Sequence, residues 1–395
     1  MKKTTDTARK LRILVCAHEY PPRCSGIGYV AVNVVNELRN RGHDVTVCAP
    51  SGGDLQAGSE WLIKRTGGIG ILHYWRAAAH IIRKHEDEFD VIWANNPLFT
   101  TKLPKEAERK VVATVHTTYA EYLTTIAHDV SPVLKKYYQY IIRKERQAYK
   151  LMRRFKFIIT SELTRQELRT LGVADAKDAH LITNGVDTTR FRKASANEKR
   201  SLRRELGLPD DATILLNVGR FSHQKAQTLL IRRFSEAATL MKSRKPVLAI
   251  IGDGQLRREL ETAATAANAE GCDIRILRPV PQETLVKYYR AADYIIMPST
   301  YEGQPLALLE AMACSLVPLL SPIPVFKALV DETKAGKCLE FTHHDASRRL
   351  KQAIETKRYG RESDRVASVL QERYAWSAIA KQYEAVFRKK EGAMR

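Results

Sequence analysis

Residues 294–315 read YIIMPSTYEGQPLALLEAMACS. The first piece, Tyr294 to Pro298, is short, apolar and rich in isoleucine, which is the pattern of a buried strand. Gly303 then turns the chain, and Pro305 suits the first turn of a helix, where its missing N–H is not needed. A strand that turns directly into a helix is the repeating unit of a parallel α/β sheet. Two glutamates bracket this turn: Glu302 lies before the helix, and Glu310 lies in its second turn within an apolar run. A carboxylate facing a packed core is unfavourable without a partner. Glu310 is therefore either an exposed residue of an amphipathic helix or a residue with something specific to hold.

The same alternation runs outward in both directions. Arg12–His18 (RILVCAH) is a strand, followed by helical spacing through GYVAVNVVNELRNRGH and a stop at Gly42. Further strands are expected at DVTVCAP, at DVIWANN from Asp90, at VVATVHTT from Val111 and at FKFIITS from Phe155. A second series comprises Ala212–Arg220, Lys245–Gly254, Asp273–Val280 and Ala292–Thr300. Continuous apolar strands separated by helices predict doubly wound parallel sheets. At about 150 residues per domain, the 395-residue length suggests two or three domains. The expected division is 1–195, 196–372 and an amphipathic C-terminal helix over 373–395. The polar stretch Arg192–Leu206 is the expected hinge.

The net charge is +21. Such an excess points to an anionic partner: nucleic acid, an anionic membrane face or a phosphorylated substrate. A basic composition shared across the source's proteins is the plainer alternative. The six cysteines are scattered and form no Cys-x-x-Cys pair. That argues against a zinc site or disulfide framework and for a reducing, cytoplasmic location. The apolar run Leu11–Ala17 is too short for a signal peptide core, and no stretch approaches the roughly 18 apolar residues of a spanning helix.

Open α/β sheets bind ligands beyond the carboxyl ends of their strands, so residues that follow strands carry the most information. Gly219 permits a sharp turn after the strand ILLNV, and Arg220 and Lys225 then stand at the sheet's mouth. Two cations there suit a diphosphate, although two solvated surface cations would read the same way. Gly252 and Gly254 allow close backbone approach after the next strand. The residues Gly303, Gln304, Pro305 and Leu306 open a helix whose first amides attract phosphate. His116 follows a strand, either as a functional group or as a histidine with a satisfied hydrogen bond. The segment Lys135–Lys156 carries Lys135, Lys136, Arg143, Lys144, Arg146, Lys150, Arg153, Arg154 and Lys156 against one acid, Glu145. With interleaved tyrosines and isoleucines, it is either a solvated basic face or a surface for anionic membrane.

Taken together, these segments resemble the retaining GT-B glycosyltransferases of the family-4 kind, the glycosyl transferases group 1. The resemblance rests on EYPPRCSGIGYVAVNVVNELRNRGHDVTV, VHTTY, ITNGVDTTRF, NVGRFSHQK, IGDGQLRREL, LRPVPQETLVKYYRAADYIIMPST, the E-x7-E pair and the closing YAWSAIAKQYEAVF. It covers nearly the whole chain. It implies two Rossmann-like domains facing across a cleft, an N-terminal one for the acceptor and a C-terminal one for the nucleotide-sugar, with the helix over 373–395 packing back on the N-terminal domain, Glu302 on the donor sugar and Glu310 on the nucleotide ribose. Arg220 and Lys225 resemble the diphosphate clamp, and His116 resembles a histidine needed for activity. Gly26 and Gly28, in SGIGY, match a loop near the donor phosphate, and Arg278 falls near the expected base pocket. The implied reaction proceeds with retention, with the leaving diphosphate helping to deprotonate the acceptor. The implied donor is a UDP-sugar, with GDP-mannose next, and the acceptor is a lipid-linked molecule or glycan at the cytosolic membrane face. With no Asp-x-Asp motif, no metal and no cofactor are expected, and neither is nucleic acid.

The chain departs from the family pattern at Ser25, Ala226, Ser315 and Arg278, where glycine is common, and at Pro322 and Ala328. These departures leave room for a binding protein or epimerase on the same fold with drifted activity. A nucleic-acid-binding protein driven by charge is the more distant rival, and it gives Glu302 and Glu310 no role.

Overall fold

The computed structural model describes residues 9–22, 25–57, 68–95, 103, 105–126, 131–151, 155–173, 178–241, 246–356 and 359–392. The chain divides into two compact units, Met1–Asn184 with Trp376–Arg395, and Gly185–Ala375.

The first unit has strands β1 (Arg12–Ala17), β2 (Asp44–Ala49), β3 (Leu55–Gln56), β4 (Val91–Asn95), β5 (Val111–Val115), β6 (Lys156–Ile159) and β7 (His180–Leu181). All pair in parallel, in the order β3-β2-β1-β4-β5-β6-β7. Its helices are α1 (Gly26–Asn40), α2 (Gly68–His85), α3 (Lys105–Lys110), α4 (Tyr119–Ile126), α5 (Pro132–Leu151) and α6 (Glu162–Thr170). The inner strands are buried on both faces, and for that reason they read as unbroken apolar runs in the sequence.

The second unit contributes β8 (Ile214–Val218), β9 (Val247–Ile251), β10 (Asp273–Leu277), β11 (Tyr294–Met297), β12 (Val317–Leu320) and β13 (Lys337–Cys338), in the order β10-β9-β8-β11-β12-β13. Its helices are α7 (Ala196–Glu205), α8 (Gln227–Thr239), α9 (Arg257–Ala269), α10 (Gln282–Ala291), α11 (Leu306–Ala313), α12 (Pro324–Thr333), α13 (Ala346–Glu355) and α14 (Tyr359–Arg373). Apolar clusters fill both sides of this sheet.

The last helix, α15 (Trp376–Gly392), belongs to the first unit. Tyr383 and Phe387 close on the indole of Trp93, at 5.0 and 6.1 Å between ring centroids. Glu384 takes a 2.6 Å hydrogen bond from Arg41 Nε.

Two sequence expectations need correction. The polar stretch Arg192–Leu206 is mostly helix. Ser195 and Glu198 form a reciprocal capping box that starts α7, a local signal that outweighs polarity. The chain passes between units at Asn184–Gly185 and Ala375–Trp376 instead. Lys156 lies on β6 rather than on the basic helix, while Arg153 and Arg154 fall outside the described residues.

Candidate functional site

In the second unit the strand order reverses between β8 and β11. Loops diverge there to opposite sides, which opens a crevice at the carboxyl edge of an open sheet. The two loops flanking it carry Gly219–Ala226 and Pro298–Pro305. Gln224 joins them: its side-chain amide donates to Tyr301 O at 2.8 Å, and its carbonyl accepts from Thr300 N at 2.9 Å. This seam sets Lys225 against Glu302, with Nζ to Oε1 at 2.5 Å and side-chain exposures of 18% and 6%. Two residues 77 positions apart in sequence thus form one nearly dry ion pair at the switch point.

Arg220 stands exposed just beyond β8, and its guanidinium has no hydrogen-bond partner among the described residues. Arg278 is exposed past the end of β10, within electrostatic reach of Asp253. Gly303, Gln304 and Pro305 lead into α11. Pro305 occupies the capping position rather than the first turn, and Leu306 begins the helix with no side-chain cap.

The glycines divide in an unexpected way. A Cβ on Gly219 would meet only the stem of Lys225, at 3.7 Å. On Gly252 it would lie 1.9 Å from Gly219 O, and on Gly254 it would lie 2.3 Å from Phe221 O. The space at Gly252 and Gly254 is filled by the chain's own backbone, where the loops after β8 and β9 interlock.

Glu310 is half-buried on α11, and Tyr289 Oη donates to its Oε2 at 3.2 Å. Burial pushes its pKa up to about 7, against the opposing pull of Tyr289 and the positive charge of Arg190.

The first unit repeats the arrangement. Its order reverses between β1 and β4. Asn95, the last residue of β4, donates through Nδ2 to Ile27 O at 3.0 Å, and its Oδ1 lies 2.7 Å from His116 Nε2. Ile27 O can only accept, so Oδ1 faces the imidazole and Nε2 carries the proton. Burial and the neighbouring His18 lower the His116 pKa to about 3, and the ring is neutral at physiological pH. Its Nδ1 is left as an acceptor. Gly26 and Gly28 open α1, and Glu19 accepts from Ser25 N at 2.9 Å immediately before it.

On α5, Glu145 is buried and takes hydrogen bonds from Tyr119 N and Tyr149 Oη, each at 2.9 Å. The exposed face is left to Lys135, Lys136, Arg143 and Arg146, together with Val133 (79% exposed) and Tyr140 (45%).

The structure therefore brings Lys225 and Glu302 together, ties His116 to the Gly26–Gly28 turn, and holds Glu310 separately against α10. Sequence reasoning missed Asn95, Gln224 and Tyr289. Asn95 was within reach, because it ends a strand beside the reversal.

The chain matches two family models, Glycosyltransferase Family 4 over residues 24–190 and Glycosyl transferases group 1 over residues 198–367. It is 24% identical over 366 residues to an alpha-monoglucosyldiacylglycerol synthase of Streptococcus pneumoniae, covering 87% of this chain and 78% of that protein. It is 32% identical over 187 residues to a D-inositol 3-phosphate glycosyltransferase 2 of Catenulispora acidiphila, covering 46% and 43%. The match thus spans less than half the length of the second relative. Among solved structures, Anabaena HepE in complex with UDP and glucose superposes over 96% of this chain and 100% of that one, with a TM-score of 0.67 and 17% identity. WaaG, a glycosyltransferase involved in lipopolysaccharide biosynthesis, superposes over 95% and 99%, with a TM-score of 0.73 and 16% identity. At these identities the likeness establishes the GT-B fold alone.

Proposed function

The chain belongs to the glycosyl transferases group 1, and on that premise we propose that it moves a sugar from a nucleotide-sugar to a lipid-linked or glycan acceptor with retention at the anomeric carbon. The observation that carries this reading is the Lys225–Glu302 pair at the switch point beside the uncapped start of α11. Lys225, Arg220 and the first amides of α11 meet the diphosphate, Glu302 meets the donor sugar, and Glu310 meets the ribose. In the reaction the bond from the anomeric carbon to the diphosphate oxygen breaks, and the leaving oxygen takes the electron pair. The acceptor hydroxyl attacks the same face and passes its proton to that oxygen. Stabilising the departing charge is then the chief task, and preorganised donors of this kind are each worth about 10²–10³ in rate. His116, neutral with a free acceptor nitrogen, is suited to receive a hydrogen bond from a substrate hydroxyl.

A UDP-sugar is the first donor to try and GDP-mannose the second. UDP is the nucleotide in the HepE complex. The acceptor class is supported by the name of the streptococcal relative and by the cationic, partly apolar face of α5, which suits a peripheral site on anionic lipid. No helix among the described residues is long and apolar enough to cross a membrane.

The test is a transfer assay with UDP-glucose and GDP-mannose on diacylglycerol-containing anionic vesicles, with product anomers read by NMR and a chelator arm for metal dependence. Arg220→Ala and Lys225→Ala should each lose about 10²–10³ in turnover; Arg220→Ala should keep native stability, while Lys225→Ala leaves Glu302 unpaired and should cost about 3–5 kcal/mol. Near-native turnover in both would refute the clamp, and an inverted product would refute retention.

A further inference from the structure

We propose that Tyr289 is a positioning residue for the donor nucleotide: its buried hydroxyl holds one oxygen of Glu310 and leaves the other to receive the ribose hydroxyls, so that donor affinity follows the charge of Glu310. The inference rests on the reading that Glu310 meets the ribose.

Tyr289 is fully buried on α10, and its ring sits edge-on to Phe191 at 6.0 Å. Its hydroxyl reaches Glu310 Oε2 at 3.2 Å, while Oε1 has no hydrogen-bond partner among the described residues. The phenol is a fixed donor, because burial and the glutamate push its own pKa well above the usual phenol value. The other groups facing Glu310 are few. Arg190 acts on it from the segment before α7. Cys314 lies one turn along α11, with Arg290 and Arg192 beside that thiol. Val366 and Leu370 of α14, Ile295 and Met297 of β11 and Leu320 of β12 share the same apolar cluster. No acid among these groups competes for the proton.

A ribose diol offers two O–H donors. Ionised Glu310 accepts both on Oε1 with Oε2 held by Tyr289, whereas the protonated acid carries a hydrogen that must itself be donated. Burial raises the Glu310 pKa to about 7, so binding below neutrality must first expel a proton. Affinity then falls by up to about tenfold per pH unit below that value. Removing the phenol takes away the hydrogen bond that favours the anion, which moves the fall to higher pH.

The experiment is calorimetric titration with UDP-glucose and with GDP-mannose from about pH 5.5 to about pH 8.5. Their diphosphates are diesters with no proton that titrates in this range. Wild type is compared with Tyr289→Phe, which keeps the ring, and with Glu310→Gln. We expect wild-type affinity to drop about fivefold from pH 7 to pH 6, and to approach a tenfold fall per unit only below that. Tyr289→Phe should shift that drop upward and weaken binding several-fold at pH 7, and Glu310→Gln should bind weakly with a flat profile. A flat wild-type profile, or a Tyr289→Phe profile that superposes on wild type while Glu310→Gln is weak, overturns the role of Tyr289 alone. Native affinity in Glu310→Gln at every pH overturns the ribose reading with it, as does failure of wild type to bind either donor.

Discussion

Replacing Ser315 with glycine should make the protein more stable. Helix α11 ends in a Schellman arrangement, with Ser315 N bonded to Met312 O at 2.8 Å and Leu316 N bonded to Ala311 O at 3.1 Å. That motif puts its left-handed residue just past the cap, a place usually held by glycine. Here it is Ser315 at φ 71°, with its side chain buried and its hydroxyl without a partner among the described residues. A left-handed residue bearing a Cβ costs about 1–2 kcal/mol, and an unsatisfied buried hydroxyl costs about 1–3 kcal/mol. Against these, glycine gives the unfolded chain more freedom, about 0.5–1 kcal/mol. The lost methylene removes about 0.8 kcal/mol of burial. The balance is a gain of about 2 kcal/mol, which for a unit of this size corresponds to about 4–8 °C in its melting transition. Calorimetry on the full chain reads it directly. Ser315→Ala separates the two causes, since it deletes the hydroxyl and keeps the Cβ, and the expected order of stability is glycine, then alanine, then serine. Equal stability of the alanine and serine forms would refute the orphan hydroxyl. Equal stability of alanine and glycine would refute the backbone strain, and a destabilised glycine form would refute both.

Ala226→Gly should stabilise more modestly, by about 0.5–1 kcal/mol, because Ala226 also sits at positive φ (51°) but strands no polar group; calorimetry checks it. Gly252→Ala should cost about 3 kcal/mol or more and abolish donor binding, because its Cβ has nowhere to go. Gly219→Ala, in the same crevice, should fold normally, and chemical denaturation of the pair tests the contrast. Gln224→Glu replaces an amide donor with an acceptor facing Tyr301 O, and kcat should fall about tenfold while the melting temperature changes little. Glu145 is raised to about 7 by burial, so it binds its proton more tightly folded than unfolded. Its contribution to stability is complete below the unfolded pKa near 4.5 and is lost as pH rises through about 7. Glu145→Gln should flatten that slope and stabilise the protein at pH 8, as measured by urea midpoints across pH.

The strands were legible because parallel strands buried on both faces leave continuous apolar runs. β12 escaped because Pro318 sits inside it, paired with Ile295, and an interior proline argues against a sheet strand. Lys225 and Glu302 were legible as charges that follow strands. Gln224, Asn95 and Tyr289 were not, because each acts through one or two hydrogen bonds from an uncharged side chain and leaves no mark on composition or periodicity. The glycines show a different limit. A sequence reveals that a close approach exists near Gly219 and Gly252, but not which backbone yields; the carbonyl of Gly219 needs the room, and Gly252 provides it.

Ala226 and Ser315, two positions where the resemblance leads to an expectation of glycine, bear on how the crevice is built. Both adopt the left-handed conformation that glycine would take without strain, so at each the cost is one of backbone energy. Directly beside Ala226, Lys225 and Glu302 still meet at 2.5 Å, and Gln224 still ties their loops. Removing either partner alone would leave the other charge unpaired at a cost of about 3–5 kcal/mol, so stability as well as chemistry holds the pair in place. Here the strain has accumulated in the scaffold while the paired charges at the crevice persist.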